Sequence, residues 1–147
     1  MKIALVGNQN SGKTTLFNTL TGTNQKVGNW PGVTIERKQG KISGTEIEIV
    51  DLPGVYSLSP YSTEEEISRQ FAMEEKPDLI INIIDATSLE RSLYLTTQLL
   101  ELDVDVVIAL NMADVLEKSG ITVDIECLSR RLNTTIISIS AKKKLGV

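Results

Sequence analysis

The chain has 147 residues, with 19 acidic and 15 basic side chains, a formal net charge of -4, one cysteine and no histidine. That length suits one domain with a proper core, while the acidic balance argues against a broad nucleic-acid surface and the missing histidine excludes histidine acid-base chemistry and histidine metal sites. There is no signal-like N-terminus and no apolar run of bilayer length, so a reducing, aqueous compartment is expected, with Cys127 a structural thiol between Ile125 and Leu128.

The first predicted strand is the apolar run Ile3, Ala4, Leu5, Val6, and a helix follows from Leu16, Phe17 and Leu20 at helical spacing, ending at Gly22. Between them lies Gly7-Asn8-Gln9-Asn10-Ser11-Gly12-Lys13-Thr14, which fits G-x-x-x-x-G-K-[ST]. In such a loop successive backbone N–H groups wrap a polyphosphate, the lysine reaches its outer oxygens and the hydroxyl binds magnesium. The helix starts at the loop, so the positive end of its dipole also faces the phosphates. This pattern alone specifies a nucleoside triphosphate and no particular base.

Thr23 to Ile35 shows no period and holds Gly28, Asn29, Pro31 and Gly32 around Trp30, the only tryptophan. It reads as a long mobile loop of the kind that is usually functional. Thr34 lies near its end, placed to reach back to a metal held at Thr14. Two strands are expected at 36–43 and 46–51, turning at Ser43-Gly44-Thr45, the second ending on Asp51 of the box Asp51-Leu52-Pro53-Gly54. A strand-end aspartate beside a phosphate loop holds magnesium directly or through water, and the glycine N–H senses a gamma-phosphate.

Residues 55–63 are again aperiodic, and Thr63 with Glu66 predicts a capping box opening a helix to about Glu75, with Ile67 and Phe71 inward. Strands follow at Leu79 to Ile84, Val104 to Leu110 and Thr135 to Ile139, with helices at about 91–102 and 124–132. The expected fold is therefore α/β: a mostly parallel six-stranded sheet with helices on both faces. At the C-terminal end of one strand, where such sheets bind ligands, sits Asn111-Met112-Ala113-Asp114; its plainest alternative is Asp114 capping a helix over 115–119. Ser140-Ala141-Lys142 follows the last strand.

GNQNSGKT, Thr34, DLPG, NMAD and SAK stand in the order and approximate spacing of the five guanine-nucleotide boxes. The chain thus resembles a translation-factor-type P-loop GTPase over essentially its whole length. An ionised carboxylate suits guanine, since Asp114 would accept from both N1–H and the exocyclic amine, a donor pair that adenine lacks. Asn111 would tie the loops together, and the Ala141 N–H would donate to O6 beside Ser140 and Lys142. Met112 stands where lysine is usual, so it packs without charge and weaker binding is expected.

More closely, residues 7–22, 27–40 and 51–65 with the NMAD box are similar to the N-terminal G domain of the FeoB family of ferrous-iron transport proteins. This resemblance implies that Lys13 and the loop from Asn8, Gln9, Asn10, Ser11 and Gly12 through Thr14 and Thr15 bind the phosphates of GTP or GDP. Magnesium would be held by Thr14 and Thr34, with Asp51 behind it, Gly32 and Val33 beside Thr34, and Gly54 reporting the gamma-phosphate; Lys13, Asn10, Thr34 and Gly54 form the implied catalytic set. Val55 stands where many signalling GTPases carry a water-orienting glutamine, so hydrolysis should be slow. Asn10, with carbonyls of Gly28 and Trp30, would hold an activating potassium ion, although Gln9 replaces the proline common there.

The family context implies attachment at the cytoplasmic face of the cell membrane, through helical and transmembrane domains of a longer protein, with oligomerisation left to the membrane part. The chain is expected to be a single G domain stopping before its closing helix, without a nucleic-acid partner or an iron site of its own. Two alternatives stay open at this level: a binding switch in ribosome or tRNA biogenesis, and an ATP-dependent enzyme, the latter disfavoured by Asp114.

Overall fold

A computed structural model describes residues 1–23, 25–59, 61–143 and 146–147, with nothing stated for the Ala113 side chain; Asn24 and Pro60, within the two stretches read as aperiodic, lie outside the described residues. The strands are β1 (Lys2–Gly7), β2 (Gln25–Asn29), β3 (Glu36–Lys41), β4 (Glu48–Asp51), β5 (Leu79–Asp85), β6 (Asp105–Asn111) and β7 (Thr135–Ile139). The helices are α1 (Lys13–Thr21), α2 (Thr63–Gln70), α3 (Leu89–Leu100), α4 (Ala113–Lys118) and α5 (Ile125–Leu132). They form one sheet in the order β2-β3-β4-β1-β5-β6-β7, parallel from β4 to β7 and antiparallel at β2 and β3.

Strand β1 is apolar on both sides because both are covered. Ala4 and Val6 face a core with Leu95 and Leu99 of α3, Phe71 and Trp30; Ile3 and Leu5 face Leu16 and Phe17 of α1. The chain leaves β1 to one side for β4 and to the other for β5, which makes β1 the point where strand order reverses and a ligand crevice opens. Pairing of Leu5 with Asp51, Gly7 with Ile83, Asp85 with Asn111 and Asn111 with Ile139 sets the C-terminal ends of the parallel strands along one edge. Every nucleotide box except the first mobile loop starts from that edge.

Four expectations need correction. Among the described residues the sheet has seven strands, because residues 25–29, read as loop, pair with β3. This edge strand is held by its backbone pairing with β3 and by the Gln25 side chain, whose Nε2 donates to Asn18 Oδ1 and Thr21 Oγ1 of α1, both at 2.9 Å; its one strong hydrophobe, Val27, is 60% exposed, so no apolar alternation marks it. Helix α2 is capped by Ser62, whose side chain accepts from the Glu65 N–H at 3.1 Å, one residue earlier than the predicted box. It continues through a π-helical turn, Phe71–Glu75. Helix α3 starts at Leu89, after a 3-10 turn at Ala86–Ser88. Asp114 is no cap: α4 is entered through Met112 in the left-handed region (φ 63°), which leaves Asp114 in the first turn.

Candidate functional site

The phosphate loop is shaped by backbone conformations that few residues accept. Asn10 sits at φ 63° and Gly12 at φ 94°, and asparagine and glycine tolerate the left-handed region best. A Cβ on Gly12 would lie 2.1 Å from Asn111 Nδ2, so glycine is required by contact as well as by torsion. The N-terminus of α1 has no side-chain cap and no acidic residue in its first turn. Its N–H groups therefore open toward a cavity of about 530 Å³, lined by Asn8, Gln9, Asn10, Gly12 and Lys13 of the loop, by Thr14 and Thr15, and by Gly54 and Met112.

Lys13 and Asp51 are 9% and 7% exposed and paired, the ammonium touching Asp51 Oδ1. Taking both charges from water is costly, and each is tolerated because the other neutralises it. The D-x-x-G box lies directly on the loop. A Cβ at Gly54 would be 2.8 Å from Gln9 Cγ and 3.2 Å from its Cα and N, while the Val55 N–H donates to Gly7 O at 3.0 Å. Val55 itself is 2% exposed, in the core. The segment beyond it leans on α3: Arg91 lies 4.4 Å over the Tyr56 ring, and the Leu58 N–H donates to Gln98 Oε1 at 2.6 Å.

At the C-terminal end of β6, Asn111 joins the phosphate loop to the turn after β7. Its Nδ2 donates to Ser11 O at 3.0 Å and its Oδ1 accepts from the Ala141 N–H at 3.0 Å. The Ala141 N–H is thus bonded to Asn111 in this structure. Met112 reaches over the loop, its Cε 3.9 Å from where a Gly12 Cβ would stand. Asp114 Oδ2 is 2.8 Å from Lys143 Nζ, and that hydrogen bond holds its carboxyl below the usual carboxylate range. Lys142 and Lys143 are both exposed, and it is Lys143 that folds back on Asp114. Ser140 is buried, its Oγ accepting from the Lys143 N–H at 3.4 Å.

The first loop stands apart. Gly28 is paired within β2 opposite Arg37, Thr34 and Gly32 are exposed and Val33 is half-buried. The Trp30 N–H donates to Ile35 O at 2.9 Å, and its carbonyl accepts from the Val33 N–H at 3.2 Å. The indole is buried edge-on against Phe71, with ring centroids 5.9 Å apart, and Arg37 stacks on it at 4.5 Å. None of Gly28, Trp30, Gly32, Val33 or Thr34 lines the cavity that holds Asn10 and Thr14. The donors for magnesium fit in part, since the Thr14 hydroxyl borders the cavity and Asp51 meets it through Lys13. Two protein oxygens are ordinary for an ion that keeps waters and phosphates as its other ligands. The set expected for potassium is not gathered, because the Trp30 carbonyl is turned into its own loop. Among the described residues no cluster of three or more acidic or cysteine side chains forms a metal site, and no helix is long and apolar enough to cross a membrane.

Residues 1–147 match a protein family described as Ferrous iron transport protein B. The chain is 48% identical to the Fe(2+) transporter FeoB of Escherichia coli K12 and to that of Shigella flexneri, in each case over all of this chain and 20% of the relative. It spans about a fifth of the length of these curated relatives. Among solved structures, a mutant of S. thermophilus NFeoB bound to GDP superposes with a TM-score of 0.96 at 52% identity, covering 99% of this chain and 58% of that one. The cytosolic domain of L. pneumophila FeoB gives 0.93 at 53% identity, covering 99% and 59%. The G domain of the T. maritima FeoB iron transporter gives 0.90 at 40% identity, covering 99% and 91%.

Proposed function

The chain belongs to the ferrous iron transport protein B family, and from that premise we propose that it is the GTP-binding, slowly GTP-hydrolysing switch of a longer protein that takes up ferrous iron across the cell membrane. The observation that carries this reading is the buried ammonium of Lys13, set in the phosphate-loop cavity and paired with Asp51. A polyphosphate entering along the N-terminus of α1 offers Lys13 a stronger anionic partner. Lys13 then turns to the outer phosphate oxygens, and Asp51 is left free to face a cation.

Magnesium, when bound, supplies neutralisation of the phosphate charge, and Thr14 with Asp51 would hold it. Thr34 joins only after the first loop leaves its place beside Phe71 and closes over the phosphates. Gly54, whose contact with Gln9 leaves no room for a side chain, carries its N–H to the same place. Asp114 selects guanine by accepting from two adjacent donors, once Lys143 yields to the base. With Val55 buried, no side chain at that position orients a water, so turnover is slow. Potassium stimulation through Asn10 requires the first loop to reposition its carbonyls.

The domain works at the cytoplasmic face, joined to the helical and transmembrane parts of the same protein. GTP binding orders the two loops and hydrolysis releases them, giving the transport part a nucleotide-dependent contact. Calorimetric titration with GDP and ADP tests the premise: GDP binds and ADP does not, and Lys13→Ala removes GDP binding. Equal affinity for the two would contradict it.

A further inference from the structure

Four polar side chains lie deep beneath the phosphate loop, where the sequence gives no reason to expect them. Asn8, Asn82, Ser92 and Thr96 are 8%, 1%, 5% and 0% exposed. They form a connected line across three elements. Asn82 of β5, paired in register with Val6, donates through Nδ2 to Val6 O at 3.2 Å. Its Oδ1 accepts from Thr96 Oγ1 at 2.6 Å. One turn earlier on α3, Ser92 Oγ donates to Ser88 O at 2.8 Å and accepts from Asn8 Nδ2 at 3.4 Å.

The line grips the chain on both sides of Gly7, at Val6 and at Asn8. Gly7 is itself confined, since a Cβ there would lie 2.8 Å from Ile83 O and 2.9 Å from Ser11 Oγ. Buried polar groups are tolerated when they are satisfied, and satisfied networks fix one arrangement of the backbone around them. The Asn8 side chain depends on Ser92 in particular: its Oδ1 is buried without a partner among the described residues, so Nδ2 to Ser92 is its one side-chain bond there. Asn8 O in turn accepts from the Ser11 N–H at 3.3 Å, which closes the first turn of the loop.

We propose that Ser92, on α3 and outside all five nucleotide boxes, is a positioning residue for the phosphate loop, acting through Asn8 to hold the loop amides in the arrangement that receives polyphosphate. Ser92 touches neither phosphate nor metal. Its effect is on how well the loop is formed before the nucleotide arrives, so it acts on affinity rather than on the hydrolytic step. The proposal rests on the nucleotide reading above only for its binding consequence.

The test is a set of variants, Ser92→Ala, Ser92→Cys and Ser92→Thr, each followed by amide hydrogen exchange of residues 8–12 in the nucleotide-free protein, by GDP titration and by GTP kinetics. Ser92→Ala should speed exchange of the Ser11 amide, raise the GDP Kd and the GTP KM by about tenfold, the scale of one lost hydrogen bond, and leave kcat within about twofold. Ser92→Thr, which keeps the hydroxyl, should restore both. Ser92→Cys fills the same space with a poor partner, and carries the test if the alanine variant does not fold. Unchanged loop exchange with unchanged Kd and KM, whatever the melting temperature does, would overturn the proposal, and so would a fall in kcat at constant KM. If the unsubstituted protein fails to bind GDP, the nucleotide reading falls, and loop exchange alone still decides the role of Ser92.

Discussion

Asp114 shows how one side chain can be read for chemistry and still be missed in its setting. Its ability to accept two hydrogen bonds from guanine follows from residue type; its partner Lys143 does not, because that contact exists only after β7 and the following turn return beside α4. Hydrogen bonds to charged groups contribute about 1.5–3 kcal/mol, so Asp114→Ala should cut the preference for GDP over ADP by about 10- to 100-fold in paired titrations. The sign of its pH behaviour is fixed by Lys143, whose hydrogen bond and charge depress the Asp114 pKa. A depressed carboxyl adds stability that is present above the usual carboxylate range and is lost as pH falls through its lowered folded value. In Lys143→Ala the Asp114 midpoint should rise toward the usual range in a carboxyl NMR titration; an unmoved midpoint would refute the pairing.

At the scale of elements, legibility followed how local each constraint is. The phosphate loop and α1 could be read directly, since glycine at φ 94° and a lysine one residue on are demands of a single turn. Gly12→Ala meets both the torsional cost of the left-handed region, about 1–2 kcal/mol, and the loss of the Asn111 tie. It should destabilise the domain by at least about 2 kcal/mol in denaturant unfolding. Strand β2 was illegible for the opposite reason: a polar edge strand carries no hydrophobic period, and its partner β3 supplies the order. The same hairpin places Trp30 in the core, 7% exposed. Closure of the first loop over Thr14 should draw the indole from Phe71, so its emission should shift to the red with GTP and magnesium but not with GDP. Identical emission in the two states would mean that the loop does not leave.

For the whole molecule, the reversal of strand order at β1 brings boxes distant in sequence to one edge, and parallel alternation of apolar strands and helices made that architecture readable. What the sequence left unstated is the fastening: Asn111 bridging Ser11 and Ala141, and the buried line through Asn82, Thr96 and Ser92 that ties the loop to α3. The ties from Asn8 to Ser92, Asn82 to Val6 and Asn111 to Ser11 join residues 76 to 100 positions apart, and that from Asn111 to Ala141 spans 30; short polar side chains give no periodic sign of such partners. On the reading proposed above, this assembled edge binds and hydrolyses GTP through Lys13. Phosphate release from GTP and from ATP, in magnesium buffer with the Lys13→Ala protein alongside, tests it most directly. Slow release from GTP alone, absent in the variant, is the predicted result; equal release from both nucleotides, or release that survives the loss of Lys13, would contradict it.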